Sequence, residues 1–442
     1  MLTYLNRLLR TGPGRTTSAL TPYPGQCRNR PMLVHSTEHF GTGRSRGSSA
    51  GCAVLDLEQV TRFVLMIAPQ SRGTFQAQAK EVFTIMSAVL NQRERPSAIT
   101  LQTVFLRDLR DQDNFQSCFA EHFCSELPVT NFVAQPPCDG AAFAIEVWAI
   151  QGEAVALERH NTNTLSVSYE GVRWIYCGGV AVTPAPRLYN QATRTFEQMR
   201  DLLGEARSGF PHVLRTWIYL GGIVERDEEL LRYQELNRAR ADFYNGLNFG
   251  RGLPVRNGAH SIYPASTGIG TLGSGLVMSC LAIETARDDV FLLPLENPGQ
   301  TPAYAYPQQY SSQSPKFCRA MALGLGHYIT TWVSGTASIL DSDSRYAGDV
   351  EGQTEQTIDN IERLIAPENF AQHGLKGAGA TLRDLMKVRV YLKRGEDLEK
   401  CRAICARRFG TVPALFLVGD ICRPELLVEI EGVAFSKIKS PI

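Results

Sequence analysis

Two carboxylates, Glu429 and Glu431, stand two positions apart in the run VEIE near the end of the chain. Alternate side chains of a strand share a face, so the two acids point the same way. Two earlier runs resemble this one, AAFAIEVWAIQ from Ala141 and GLVMSCLAIET from Gly275. Set beside VEIE, they keep Glu146 and Glu284 in the place of Glu431 but carry Ala144 and Ala282 in the place of Glu429. An acid that occurs three times reads as architectural, a repeated buried or interface pair. An acid that occurs once is the better candidate for chemistry, because a carboxyl in a partly dry cleft has a raised pKa and can deliver a proton at neutral pH. The alternative for Glu429 is an ordinary solvated strand acid.

These closing runs belong to a larger pattern of strand, helix, strand, helix, strand, which occurs around 62–151, 173–285 and 331–435. The opening strands read RFVLMIAPQ from Arg62, RWIYCGGVAV from Arg173 and TWVSGTASIL from Thr331. The second strands read AITLQTVFLRD from Ala98, HVLRTWIYLGG from His212 and DLMKVRVYLKR from Asp384. The first helix of each copy carries one apolar stripe at helical spacing: Val82, Met86, Val89 and Leu90; Phe196, Met199, Leu202 and Leu203; Ile358, Ile361, Leu364 and Ile365. Such a stripe is laid on a sheet. The period exceeds a hundred residues, so the copies are duplicated domains rather than a solenoid. The expected fold is α+β, with three related units in one chain forming a pseudo-trimer. The expected divisions are an extension over 1–50 and units over 51–152, 153–295 and 296–442. Function should lie in whichever cleft between units has kept reactive side chains.

Composition excludes several classes. Lys+Arg at 45 nearly cancels Asp+Glu at 44, so no global field favours nucleic acid or an anionic membrane. No apolar run is long enough to span a bilayer. The eleven cysteines contain no Cys-x-x-Cys, and a reducing, cytoplasmic setting is expected. Residues 1–50 hold seven arginines and one acid, Glu38. That composition suits a disordered extension or a transit peptide, and the latter would make the protein organellar. His35 with His39, and Cys118 with His122 and Cys124, lack a complete ligand set, so no metal is expected. Cys401 and Cys405, one helical turn apart, read as small apolar residues on a buried face. A Gly-x-Gly-x-x-Gly at Gly268, Gly270 and Gly273 precedes a strand, where a dinucleotide fingerprint would open a helix. It reads as a loop or a place of close backbone approach.

The fold pattern resembles the RidA/YjgF superfamily, whose members form trimers with sites between subunits. In that superfamily's imine deaminases an Arg follows the Pro-Ala of the last segment, whereas this chain has Leu415 after Pro413–Ala414. A more specific resemblance, over roughly 170–435, is to the chorismatase family. It rests on PASTGIG from Pro264, AYAY from Ala303 with SPKFCRA up to Ala320, SGTASI from Ser334, the run from Gly348 to Ile361, and DICRPELLVEIE from Asp420. One departure follows SGTASI: the family's histidine-bearing loop is replaced by Leu340–Asp341–Ser342–Asp343–Ser344–Arg345–Tyr346.

The resemblance implies a cofactor-free enzyme that releases pyruvate from chorismate by protonating its enolpyruvyl ether on carbon. Glu429 matches the family's acid. Tyr306 and Arg319 match its substrate-binding positions, and Arg402 is expected to add a second clamp, since a guanidinium fork suits a carboxylate. A surface salt bridge is the other reading of Arg319. Gly335 with Cys422 resembles the branch that forms 3-hydroxybenzoate, with Cys422 as nucleophile or proton donor; a plain buried cysteine is the other reading. The expected partner is a small anionic substrate, with the protein a monomer of pseudo-trimeric architecture or a higher homo-oligomer. The competing functions are a RidA-like hydrolase or deaminase and a non-catalytic small-molecule-binding protein on the same scaffold.

Overall fold

A computed structural model describes residues 37–39, 50–57, 59–91, 97–256, 262–308, 310 and 313–438. The expectations for the remainder of residues 1–50 fall outside the described residues.

The first unit comprises β1 (Thr37–His39), β2 (Ala50–Asp56), β3 (Val60–Ile67), α1 (Phe75–Leu90), β4 (Ala98–Leu106), α2 (Gln112–Phe123), β5 (Thr130–Val133) and β6 (Phe143–Gly152). The second comprises β7 (Ala156–Arg159), β8 (Thr164–Tyr169), β9 (Val172–Val180), α3 (Leu188–Glu205), β10 (Val213–Gly221), a hairpin of β11 (Arg226–Asp227) and β12 (Leu230–Leu231), α4 (Arg232–Tyr244), β13 (Ala265–Thr271) and β14 (Leu276–Thr285). The third comprises β15 (Val290–Leu295), β16 (Ala320–Leu325), β17 (Tyr328–Ala337), a hairpin of β18 (Ile339–Leu340) and β19 (Asp343–Ser344), α5 (Val350–Ile365), α6 (Pro367–Gln372), β20 (Leu385–Leu392), α7 (Leu398–Phe409), β21 (Ala414–Val418) and β22 (Val428–Lys437).

Each unit is one sheet, and the three sheets have the same strand order: β1-β2-β3-β6-β4-β5, β7-β8-β9-β14-β10-β13 and β15-β16-β17-β22-β20-β21. The closing strand lies centrally, and a short edge strand runs parallel to the second strand of the repeat. The division expected at 295/296 is corrected here, because β15 pairs with β16 and belongs to the third sheet. Gly268 and Gly270 lie on the edge strand β13, not in a loop. A Cβ at Gly270 would meet the Asp420 carbonyl at 2.7 Å, so the close backbone approach is real.

One face of each sheet takes its helices. The stripes on α1, α3 and α5 are buried there, apart from the half-buried Leu202, and Cys401 and Cys405 lie on the buried face of α7. The other faces meet in a common core that draws Trp148, Trp174, Trp217, Trp332, Tyr219 and Tyr391 from all three units. Two layers around shared apolar surface are the usual solution for one-sided sheets. Here that surface surrounds a pseudo-threefold axis.

A β-bulge falls at the same place in the second strand of every unit, at Thr100, Leu214 and Met386. It sets the register of the closing strand. Counted from the bulge, Thr103 faces Glu146, Trp217 faces Ser279 and Arg389 faces Glu431. Two positions along, Phe105 faces Ala144, Tyr219 faces Val277 and Tyr391 faces Glu429. The counterpart of Glu431 in the second unit is therefore Ser279, not Glu284, and that of Glu429 is Val277, not Ala282. Glu284 and Ala282 have the opposite parity, and an odd-numbered slip moves a side chain to the other face. Glu284 instead pairs with Arg173 near the surface, at 2.9 Å.

Candidate active site

The axis is charged where it is most deeply buried. Lys387 Nζ lies 2.9 Å from Glu431 and 3.2 Å from Glu146. Arg215 reaches Glu431 at 2.6 Å, and Arg389 reaches Glu146 at 2.6 Å. Trp148 and Trp217 donate their indole N–H groups to Glu146 and Glu431. Burial opposes the charge on Glu431, but Lys387, Arg389 and Arg215 together outweigh it and hold the carboxyl well below its usual range. Three cations and two permanent anions from three units thus form a closed network, and its partners leave Glu431 no role as a proton donor.

Glu429 lies one period of the strand away, and its environment is the reverse. It is 4% exposed, and its carboxyl makes no hydrogen bond with the described residues. Burial pushes its pKa up and the neighbouring Glu431 charge adds to this; Arg215 and Arg319 pull it down, leaving it at about 8. The two acids on one strand face are separated in protonation state by their surroundings, which is how acid and base roles are assigned in many sites.

The carboxyl lies against a second bulge, where β17 carries an extra residue opposite β22 between Val333 and Thr336. Gly335 sits in it. A Cβ there would lie 2.0 Å from Glu429 Oε1, so this glycine creates the space the carboxyl occupies. Its N–H donates to Thr267 Oγ1 at 3.0 Å, joining β17 to β13 of the preceding unit.

A cavity of about 270 Å³ opens in front of Glu429, between the second and third units. Arg319, immediately before β16, is 3% exposed, which corrects the surface salt-bridge reading. It donates to the hydroxyl of Tyr306 and to the Thr301 carbonyl. Tyr306 follows a single 3-10 turn at Ala303–Ala305, in the long connection that begins at Glu296. Cys422 also lines the cavity, and burial pushes its thiol up to about 12. It is a protonated thiol at neutral pH, able to donate a proton but poorly suited to act as a thiolate nucleophile.

Glu429, Cys422, Gly335, Tyr306 and Arg319 are therefore brought together. Arg402 is not. It lies on α7, bonds Glu399 at 2.9 Å and lines a different cavity of about 520 Å³, between the third unit and the first. The second helix of a unit faces the next unit round the axis, so α7 serves the following cleft. The helix serving the Glu429 cleft is α4, and it contributes Tyr233, Asn237 and Arg240. Sequence reasoning missed this face, although positions i, i+4 and i+7 of one helix share a side. It also passed over Arg423, adjacent to Cys422.

The three arginines of this cavity share a property. Arg240, Arg319 and Arg423 form no ion pair among the described residues, and each keeps one buried nitrogen without a partner: Nε, Nε and Nη2 respectively. A buried guanidinium nitrogen without a partner costs free energy that an anion would recover. The site is built to receive negative charge beside a carboxyl that keeps its proton.

The sequence of residues 146–282 matches a family model described as "Chorismatase FkbO/Hyg5-like, N-terminal". Over 299 residues the chain is 34% identical to a 3-hydroxybenzoate synthase of Streptomyces hygroscopicus, covering 65% of this chain and 80% of that one. It is 35% identical over 279 residues to a chorismatase of Streptomyces rapamycinicus, covering 61% of this chain and 78% of the relative. A chorismatase crystal structure superposes with a TM-score of 0.62 at 23% identity, covering 86% of this chain and all of that one, and so shares the fold.

Proposed function

The chain belongs to the chorismatase family, and on that premise we propose that it cleaves chorismate to pyruvate and 3-hydroxybenzoate with Glu429 as general acid. The observation that carries this reading is the pairing of an acid that keeps its proton to about pH 8 with three arginines that form no ion pair among the described residues and each keep an unpartnered nitrogen.

Chorismate carries two carboxylates and a vinyl ether. Arg319, with Tyr306 fixed on it, is placed beside Glu429, because Ser334 next to Gly335 bonds the Arg319 carbonyl at 2.9 Å. Binding the enolpyruvyl carboxylate there sets the terminal methylene against Glu429. Transfer of the Glu429 proton to that carbon turns the enol ether into an oxocarbenium ion, and the carboxylate left on Glu429 lies next to the new positive charge. A general acid in this position contributes roughly 10²–10⁴-fold. The substrate's own ring hydroxyl then adds to the cationic carbon and gives its proton to the Glu429 carboxylate. The bond from the ring to that oxygen breaks as the neighbouring ring C–H proton is transferred to it, which makes the ring aromatic, and the remaining hemiketal separates into pyruvate and 3-hydroxybenzoate. Chorismate has the summed composition of pyruvate and 3-hydroxybenzoate, so no water is consumed.

Support for this branch comes from the pair Gly335 and Cys422. Gly335 leaves the acid its position, and the neutral Cys422 thiol provides a proton donor beside the ring. Incubation of the protein with chorismate should release pyruvate, and chromatography should show 3-hydroxybenzoate in equal amount. Cys422→Ala should divert or stop the aromatic product while the fold is kept. A wild-type protein that releases no pyruvate would remove this reading, and one that yields only a dihydroxy-dienoate would remove the branch assignment.

A further inference from the structure

We propose that Thr267, on the edge strand of the second unit, is a positioning residue for the reaction: its hydroxyl holds the bulge of β17 and so seats the Glu429 carboxyl of the third unit. This rests on the chorismate reading above and deepens it by naming what sets the acid in place.

Thr267 is fully buried, and its hydroxyl has no hydrogen-bonding capacity left over. The single proton goes to Glu431 Oε2, and the two lone pairs accept from Arg215 Nη2 and from the Gly335 N–H, the last at 3.0 Å. The oxygen is fixed by the charged axis on one side and fixes the backbone of β17 on the other. The neighbouring Ser266 N–H donates to Ser334 Oγ at 2.8 Å, so both residues of the bulge are tied to β13. The consequence for Glu429 is one of parity. Val333 faces Gly432; beyond Ser334 and Gly335, Thr336 faces Ile430 and Ala337 faces Glu429. In a ladder without the extra residue Thr336 would face Glu429, because every later partner moves by one. A branched side chain would then stand beside the carboxyl, where the small Ala337 now borders the cavity.

The same contact occurs in one of the other two clefts and is missing from the third. Thr267 faces Trp217, Asn131 faces Thr103 and Leu415 faces Arg389, equivalent places along the three second strands. Asn131 Oδ1 accepts from the Gly179 N–H at 2.6 Å, and Gly179 lies in the bulge of β9 at the place of Gly335. Leu415 offers no acceptor, and β3 of the unit it faces pairs with β6 from Val60 to Ile67 without a register shift. The bulge is present where the preceding unit supplies an oxygen and absent where it supplies a hydrocarbon. A bulge takes an amide out of the ladder, and a buried N–H has to be paired somewhere. Only the cleft with Thr267 also carries an acid, since Val277 and Ala144 stand in the place of Glu429 elsewhere.

Thr267→Val keeps the shape and removes the oxygen, whereas Thr267→Ser keeps the oxygen. With chorismate, Thr267→Val should lower kcat roughly tenfold and change KM less than about twofold, because the acid is displaced and the arginines are not. Thr267→Ser should recover kcat to within about threefold of wild type. Thr267→Cys, with a weak acceptor in the same place, should fall between them and keeps the comparison available if the valine variant does not fold. Adding Thr267→Val to Gly335→Ala should cost little more than either alone, since both act on one bulge. Asn131→Ala removes the matching bond in a cleft without an acid, and should lower the melting temperature while leaving kcat unchanged. Exchange of the Gly335 amide hydrogen, followed by mass spectrometry, reads the bond without turnover; it should be on the order of tenfold faster in Thr267→Val and unchanged in Thr267→Ser. Equal kcat losses for Thr267→Val and Thr267→Ser, or for Thr267→Val and Asn131→Ala, overturn the proposal, as do losses that multiply with Gly335→Ala or an unchanged amide exchange; pyruvate released by wild type upholds the reaction in each of these cases. Wild type that releases no pyruvate overturns the reaction and with it the role of Thr267.

Discussion

The cleft between the second and third units and the cleft between the third and first are built from the same strands in the same register, yet they differ in what they leave unsatisfied. In the first, β22 presents Glu429 and the edge strand β13 presents Thr267. In the second, the equivalent positions on β6 and β21 are Ala144 and Leu415. The first has three arginines that form no ion pair among the described residues, with the buried Glu296 carboxyl near enough to act on the charge of Arg319. In the second, Arg402 is paired with Glu399, and Arg72 lies 3.4 Å from Asp139. The larger cavity is thus the electrostatically quiet one. On the proposed reading, the reactive site is marked not by volume but by an unpaired arginine cluster beside a protonated acid. Leu415 also occupies the position where an imine deaminase of the RidA type carries its arginine, and it lies in the quiet cleft.

The sharpest way to break the comparison is to make the two clefts alike at the acid. Glu429→Gln keeps the shape of the carboxyl and removes the transferable proton. Pyruvate release should fall roughly 10²–10⁴-fold while binding of chorismate is retained. Turnover near the wild-type rate in a steady-state pyruvate assay would return Glu429 to the status of Ala144.

Titration tests the same contrast without a mutation. The acid must be protonated to act, and its pKa is raised to about 8, so kcat should be level below that value and fall about tenfold per pH unit above it. The effect on stability has the same sign. The unfolded chain loses this proton near 4.5 and the folded protein near 8, so stability is full below the first value and declines as pH rises through the second. Glu429→Gln should remove that decline and melt higher than wild type at pH 8. A variant that melts lower there would show that the carboxyl is not held neutral.

Gly335→Ala should act more mildly, by turning the acid rather than removing it. The new methyl must displace Glu429 Oε1 from 2.0 Å, and a side-chain tip can rotate at modest cost. We expect kcat to drop on the order of tenfold, with altered proportions of product and little change in KM. The counterpart of Gly335 at the bulge of β9 is Gly179, which has φ +65 and borders the cleft between the first and second units. Gly179→Ala should cost more than the roughly 1 kcal/mol of positive-φ strain alone, because its methyl would meet the Thr130 carbonyl at 2.6 Å, and should leave catalysis unchanged. If both variants affect only melting temperature, Gly335 does not position the acid.

Much of this site was legible in the sequence because it lies on strands, where a period of two states which residues share a face. Glu429 follows from that parity, and Gly335, Tyr306, Arg319 and Cys422 from the family resemblance carried by short motifs around it. What was not legible depends on three-dimensional registration. Glu284 matches Glu431 by letter, but the bulge at Leu214 sets the second unit's closing strand so that Ser279 occupies the place. The polar face of α4 reaches the cleft through the order of units round the axis, which no local pattern encodes. The same order carries α7 away from Glu429.

That order yields the smallest expected effect and the most direct test of the contrast between the clefts. Arg402 is a cation of the right type on the second helix of the unit that carries the acid, and by sequence it was a carboxylate clamp. In the structure its guanidinium is 5.6 Å from the Phe416 ring centroid and paired with Glu399 on its own helix, and its cavity holds Ala144 where the other holds Glu429. An exposed pair of this kind contributes about 0–1 kcal/mol. Arg402→Ala should therefore leave kcat and KM for chorismate within about twofold of wild type and shift the melting temperature by no more than a few degrees. A tenfold rise in KM would mean that a ligand in one cleft is felt in the other, and the two clefts would then have to be treated as one coupled system around the buried charges of Lys387, Arg389 and Glu146.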